Sequence, residues 1–301
     1  MRPSFFVPCP RAKLAGFLLR TLPLLIAPLV AQAQTASPSP ISSLISPLSG
    51  QRPVTSVYNI ELASQRDIST YLSPLFYTGW DLGVSGSWSK AFNHRPERWL
   101  MRFEAGLDLS NMHNPVKTAL MFGLTAQFRW GMLARWRPAP RWQVAVGPML
   151  DIFGGALYIS RNGNNPVTAM FQAGVAAAAM GSYRFHIGRL PMLLTDEVML
   201  PTLSGFFSPE YGEPYYEIYL GNHSGLAHLG WWGNAFGVNN LLSVKLDFGR
   251  TAMQVGYRLD YRSYYADHLT TRTLRHALVI GIIPQGLGLK HPTPHTLRYD
   301  Y

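Results

Sequence analysis

The stretch Met253 to Tyr265, MQVGYRLDYRSYY, limits what this chain can fold into more than any other. Met253, Val255, Tyr257, Leu259, Tyr261 and Tyr265 fall on alternate positions, against Gln254, Gly256, Arg258, Asp260, Arg262 and Tyr264. A period of two is that of a β-strand, here with one apolar and one charged face. An ordinary soluble strand averages about 5–6 residues, whereas a tilted strand crossing a bilayer needs about 9–11. The length of this stretch suits the second.

The pattern recurs. Trp80, Leu82, Val84 and Trp88 alternate with Asp81, Gly83, Ser85, Ser87 and Ser89 in a strand that begins at Thr78. At about 3.3 Å per residue and a tilt near 40°, the two tryptophans stand roughly 20 Å apart along the membrane normal, close to the spacing of paired aromatic girdles. Further strands are expected at Trp99–Ser110, Thr118–Leu133, Trp142–Phe153, Val167–Phe185, Leu190–Leu200, Leu242–Phe248 and Thr271–Ile283, with a weaker one at Ser56–Leu62. Pro148 weakens its strand because proline cannot donate to the ladder. Asp196 shares a face with Met192 and Leu194, which points to a bulge or an exposed rim there. Asp67–Leu75 reads as a loop ended by Pro74. Gly249-Arg250 fits a two-residue hairpin turn that would pair Leu246 with Met253, Lys245 with Gln254 and Val244 with Val255.

These strands imply an all-β chain: a single antiparallel transmembrane β-barrel of about ten strands. Twelve result if Pro201–Gly237 hides a hairpin, and eight remain as a further alternative. An even count puts both termini on one side. The connections at Phe92–Glu97, Ala134–Arg141, His186–Arg189 and Gly249–Arg250 are then periplasmic. Those at Gln65–Leu75, Asn111–Lys117, Gly154–Pro166, Pro201–Gly237 and Ala266–Thr270 face outward, as longer loops do in such barrels. The competing fold is a soluble periplasmic barrel with its faces inverted.

Residues 1–33 read as a secretory signal: Arg2, Arg11, Lys13 and Arg20, then the apolar run Leu22–Val30, then Ala31-Gln32-Ala33. The run is short and holds two prolines, which argues against a membrane anchor. Residues 34–55 form a Pro/Ser-rich lead, 56–285 the barrel, and 286–301 a tail. The only cysteine, Cys9, lies within the signal. Removing that segment lowers the net charge from +10 to +6, too diffuse for a nucleic-acid partner.

The charges expected to face the lumen are Asp81, Arg102, Glu104, Asp108, Arg129, Asp151, Arg184, Glu197, Lys245, Asp247, Arg258, Asp260 and Arg262. Acids and bases are nearly balanced, and a buried charge needs a partner. A packed, paired interior is favoured over a conduit, because small barrels fill with side chains. Outside, Pro201–Gly237 is loaded with aromatics that need something to pack on. Its candidate surface is Glu210, Tyr211, Tyr215, Tyr216, Glu217, His223, Ser224, Trp231 and Trp232. The adjacent pair His223-Ser224 departs from the His-x-Ser spacing that puts both groups on one strand face, so it is read as loop polarity. No metal motif or cofactor motif is present; His291 and His295 are read as solvated tail residues.

Three stretches carry a resemblance: YLSPLFYTGWDLG (Tyr71–Gly83), SPEYGEPYYEI (Ser208–Ile218) and FGVNNLLSVKLDF (Phe236–Phe248). They resemble a domain-of-unknown-function family of exported proteins from Bacteroides-type bacteria, expected to be outer-membrane barrels. The resemblance implies a location and no activity. The expected function is therefore structural or surface-interacting, with outer-membrane lipid and the barrel-assembly machinery as partners and the ligand unknown. A small channel and a lipid-modifying hydrolase are the alternatives.

Overall fold

In a computed structural model of the protein, residues 54–92, 98–163, 165–212, 214–221, 225–249 and 251–284 are described. The signal segment, most of the lead, the tail with His291 and His295, the pair His223-Ser224 and Arg250 lie outside them.

Alternating faces give long strands: β1 (Val54–Ser69), β2 (Ser73–Ala91), β3 (Trp99–His113), β4 (Leu120–Ala139), β5 (Trp142–Ile159), β6 (Val167–Ile187) and β7 (Leu190–Phe207). A short helix α1 (Tyr215–Tyr219) and a five-residue strand β8 (Ala227–Trp231) follow, then β9 (Ala235–Asp247), β10 (Ala252–Ala266) and β11 (Leu269–Ile283). Every pairing is antiparallel. β1 pairs with both β2 and β11, β6 with β7, and β7 with β9, so ten strands close into a barrel. Closure leaves no free edge in the ring, the condition for a sheet surrounded by lipid. β8 stands outside that count. It pairs only with Leu203–Phe207 of β7, so the hairpin considered for Pro201–Gly237 exists, but it does not raise the ring to twelve.

The outer face is apolar. Ile60, Trp80, Leu82, Val84, Leu109, Val175, Leu278 and Ile282 are among many large apolar side chains that stand exposed there. Tyr58, Trp88, Phe103 and Phe128 form an edge-to-face chain around one end of this band, with centroids 5.9, 5.1 and 4.9 Å apart. Inside, two apolar layers cap a charged middle. One holds Leu72, Tyr77, Met112, Met121, Leu157 and Met170; the other holds Leu100, Leu133, Met149, Met180 and Met199. Among the described residues no helix is long and apolar enough to cross a membrane, which says nothing against crossing by strands.

The hairpin at Gly249 has the expected register: Leu246 faces Met253, Lys245 faces Gln254 and Val244 faces Val255. Gly249 has φ of 101°, a conformation a side chain would strain, which is why glycine opens this turn.

Other expectations change. Asp67–Leu75 is not a loop: β1 runs to Ser69 and β2 starts at Ser73, with Pro74 accommodated beside an irregularity at Asp67/Ser69. β5, β7 and β9 likewise run beyond Phe153, Leu200 and Leu242, to Ile159, Phe207 and back to Ala235. Neighbouring strands supply pairing partners that local alternation does not reveal. The connections at 70–72 and 267–268 are three and two residues long, close to the two-residue turns at 140–141 and 188–189, so the asymmetry of the two ends rests mainly on the long connector 208–234. Pro148 leaves a gap in the ladder to β4, yet the register is the same on both sides of it. Asp196 marks neither bulge nor rim. The register shift lies at Val175/Ala176, opposite Thr202, whose hydroxyl donates to the Val175 carbonyl at 2.8 Å. Asp196 instead accepts a hydrogen bond from Asn240 Nδ2 at 2.6 Å.

Candidate functional site: the bridged lumen and the long connector

Five arginines and seven carboxylates meet in the middle of the barrel. Arg275 of β11 reaches Glu61 Oε2 at 2.6 Å, Asp81 Oδ1 at 2.6 Å and Asp108 Oδ1 at 2.9 Å. Gly83 makes room for this group, since a Cβ there would sit 2.2 Å from Asp108 Oδ1 and 2.6 Å from Arg275 Nη2. Arg258 joins Glu61 at 3.3 Å to Glu104 at 2.7 Å. Arg129 contacts Glu104, Asp151 and Asp260 at 3.3, 3.1 and 3.6 Å. Arg262 contacts Asp151 at 3.1 Å and Asp260 at 3.4 Å, donates to Gln172 Oε1 at 3.0 Å, and lies 4.4 Å over the Phe153 ring. Arg102 pairs closely with Glu197 and stands 3.9 Å from Glu104.

Four of these contacts cross the ring: Arg129 of β4 with Asp260 of β10, Arg102 of β3 with Glu197 of β7, and two more. Arg258 and Glu104 belong to β10 and β3, and Arg262 and Asp151 to β10 and β5. In the ring each of these last two pairs is separated by three intervening strands on its shorter side. Ion pairs between them therefore run across the lumen rather than along its wall. Arg129 and Arg258 are each 2% exposed, so the belt is shielded from bulk solvent as well as bridged.

Ten of the thirteen charges expected in the lumen join this belt. The other three do not. Asp247 is buried at the turn, where its Oδ1 accepts from the Gly249 amide at 2.7 Å. Arg184 is half-buried near Arg137, Arg141 and Gln143. Lys245 is buried below the belt, with no carboxylate in ion-pair distance among the described residues. Glu61 and Arg275 were missed, although they are central. Their signal was present: Asn59, Glu61 and Gln65 alternate with Ile60 and Leu62, and Arg275 alternates with Leu274 and His276. It was obscured because Ala277 and Val279 share the inward face of β11.

At the other candidate surface, the expectation that the connector aromatics pack down is overturned. Tyr211, Tyr216, Tyr219, Trp231 and Trp232 are exposed, at 73, 66, 80, 60 and 56%. Phe206 turns inward, 5.5 Å from Tyr264 and 5.4 Å from the His228 ring. The connector is held by backbone and polar contacts instead: Trp232 Nε1 donates to the Pro201 carbonyl at 2.6 Å, and Asn234 Nδ2 to the Leu229 carbonyl at 2.9 Å. Glu210 and Glu217 are exposed, and Tyr215 contributes its backbone to α1. Among the described residues no cluster of three or more His, Cys, Asp or Glu is placed to hold a metal.

No curated protein matches the chain in sequence. Among solved structures, it is similar to the beta domain of the Bordetella autotransporter BrkA at 12% identity, covering 76% of this chain and 98% of that one with a TM-score of 0.38. It is similar to the Escherichia coli outer membrane protease OmpT at 8% identity, over 83% and 98% of the two chains, with a TM-score of 0.40. Neisserial surface protein A matches at 11% identity over 78% and 99%, with a TM-score of 0.29. Likenesses this distant carry no argument about activity. The family model described as "Protein of unknown function (DUF3316)" matches residues 18–291, most of the chain, and the protein belongs to that family.

Proposed function

We propose that this protein is an outer-membrane barrel closed to solutes, whose role is structural or lies in surface interaction through the 208–234 connector. The observation that carries the reading is the set of cross-lumen bridges, among them Arg258–Glu104 at 2.7 Å and Arg262–Asp151 at 3.1 Å. A small channel would need these partners apart, and separating them leaves charges buried without compensation. The band of exposed apolar side chains supports a lipid surround over the inverted soluble barrel. Export by the 1–33 segment, insertion by the barrel-assembly machinery, contact with outer-membrane lipid, and origin in a Bacteroides-type bacterium belong to the same reading.

Planar-bilayer recording of the purified protein tests closure. The expected outcome is little or no steady conductance; a large, stable, ion-selective current would sink the closed lumen. Detergent fractionation tests the location: heat-modifiable migration in the membrane fraction is expected, and recovery in the soluble periplasm would contradict it. An epitope tag near Gly225 should be labelled in intact cells if the connector faces outward.

A further inference from the structure

Below the ion-pair belt, towards the end that carries the 140–141 and 188–189 turns, lies a small cavity of about 30 Å³, partly open to solvent. Hydroxyl groups from four strands line it: Thr55 of β1, Ser87 and Ser89 of β2, Ser182 of β6 and Thr195 of β7, with the Lys245 side chain of β9 among them. Lys245 is 7% exposed and Thr195 1% exposed. Thr195 Oγ1 has no hydrogen-bond partner, and the same holds for Ser243 Oγ, on the residue paired with Thr195 across β7 and β9. Arg102 also borders the cavity, but Glu197 and Glu104 offset its charge.

This combination is unlike the belt above it. There every arginine touches at least one carboxylate. Here a buried ammonium lies among hydroxyls and the apolar Val57, Leu100 and Met180. No carboxylate stands within ion-pair distance among the described residues, and the longer-range attraction of Glu197, which already pairs with Arg102, is opposed by the Arg102 charge. A buried cation without a direct ion-pair partner is costly, and hydroxyl groups carry no charge to offset it. What completes such a site is an anion small enough for the cavity, with several acceptor oxygens. We propose that the cavity binds a small tetrahedral oxyanion of the phosphate or sulfate class, with Lys245 as its charge partner and Thr195, Ser182 and Ser87 as donors. The phosphate of a lipid headgroup presents the same chemistry to a site at this end of the barrel. The proposal does not depend on the closed-lumen reading, since a site on one side of the belt needs no passage through it.

The test uses the full-length protein in detergent micelles, titrated calorimetrically with inorganic phosphate. Saturable binding is expected. Lys245→Met should weaken it about tenfold to a hundredfold, the usual range for losing a charge-assisted hydrogen bond, while Lys245→Arg should retain most of it. Thr195→Val should weaken it less. Heat-modifiable migration of each variant reports that the barrel is folded. A second measurement needs no variant: phosphate should slow acetylation of Lys245 in the natural protein and leave exposed Lys117 unaffected. A parallel arm replaces phosphate with phosphatidylglycerol in the micelles. Binding in that arm alone assigns a headgroup, and binding of phosphate alone assigns a free anion. Absence of saturable binding in both arms, binding that survives in Lys245→Met, or no protection of Lys245 would overturn the proposal.

Discussion

The middle of the barrel and the 208–234 connector treat side chains in opposite ways. In the belt, arginine and carboxylate groups are buried, and each arginine touches between two and three acids. In the connector, tyrosine and tryptophan rings stand exposed and the chain is pinned through its backbone. The difference teaches where each region draws its stability. This barrel does not sort residues only by pushing apolar groups inward, because much of its apolar surface stands on the outer face. Its interior is held by polar groups that must satisfy one another, and removing one member leaves the rest buried and charged. The connector has little buried surface to lose, so its exposed rings are available for contacts beyond the barrel.

The comparison predicts a graded series. Arg258→Met should cost most, about 3–5 kcal/mol in urea unfolding followed by heat-modifiable migration, because Glu61 and Glu104 are left as buried carboxylates. Combining Arg258→Met with Arg262→Met should loosen the barrel further while raising bilayer current little. A stable double variant with a large current would break the contrast between belt and connector. Gly83→Ala comes next. Its methyl group would collide with Asp108 and Arg275, and displacing either should cost about 1–3 kcal/mol. Replacing Asp196 and Asn240 together by leucine should be close to neutral or mildly stabilising, since both partners of the bond at 2.6 Å are removed at once. A large loss in that double variant would mean the pair is more than a local bond. Tyr216→Ala and Trp231→Ala should change stability by no more than about 0.5 kcal/mol, as exposed substitutions do. A loss comparable to that of Arg258→Met would show that the connector is part of the core.

Strand identity and the direction of each side chain were written locally. Alternation at Met253–Tyr265 put Arg258 and Arg262 inside and Tyr257 outside, and the Gly249 turn set the register of β9 on β10. A period of two is a property of neighbouring residues, so one sequence suffices to read it. Where strands stop was less legible, because their ends depend on partners elsewhere in the chain: Ser69 pairs with Thr271 through closure, and Phe207 with Ala227 of β8.

Which acid meets which base could not be read at all. Arg258 and Glu104 are separated by 154 residues, and Arg275 and Glu61 by 214. Only the closing of β1 on β11 and the stagger of ten strands bring them to one level. The sequence by itself determined that charges line the inside and apolar groups the outside. Tertiary structure decided that four arginines bridge the lumen while Lys245 is left without a direct ion-pair partner among the described residues. Ion pairing depends on distances across a ring, and no local pattern encodes those.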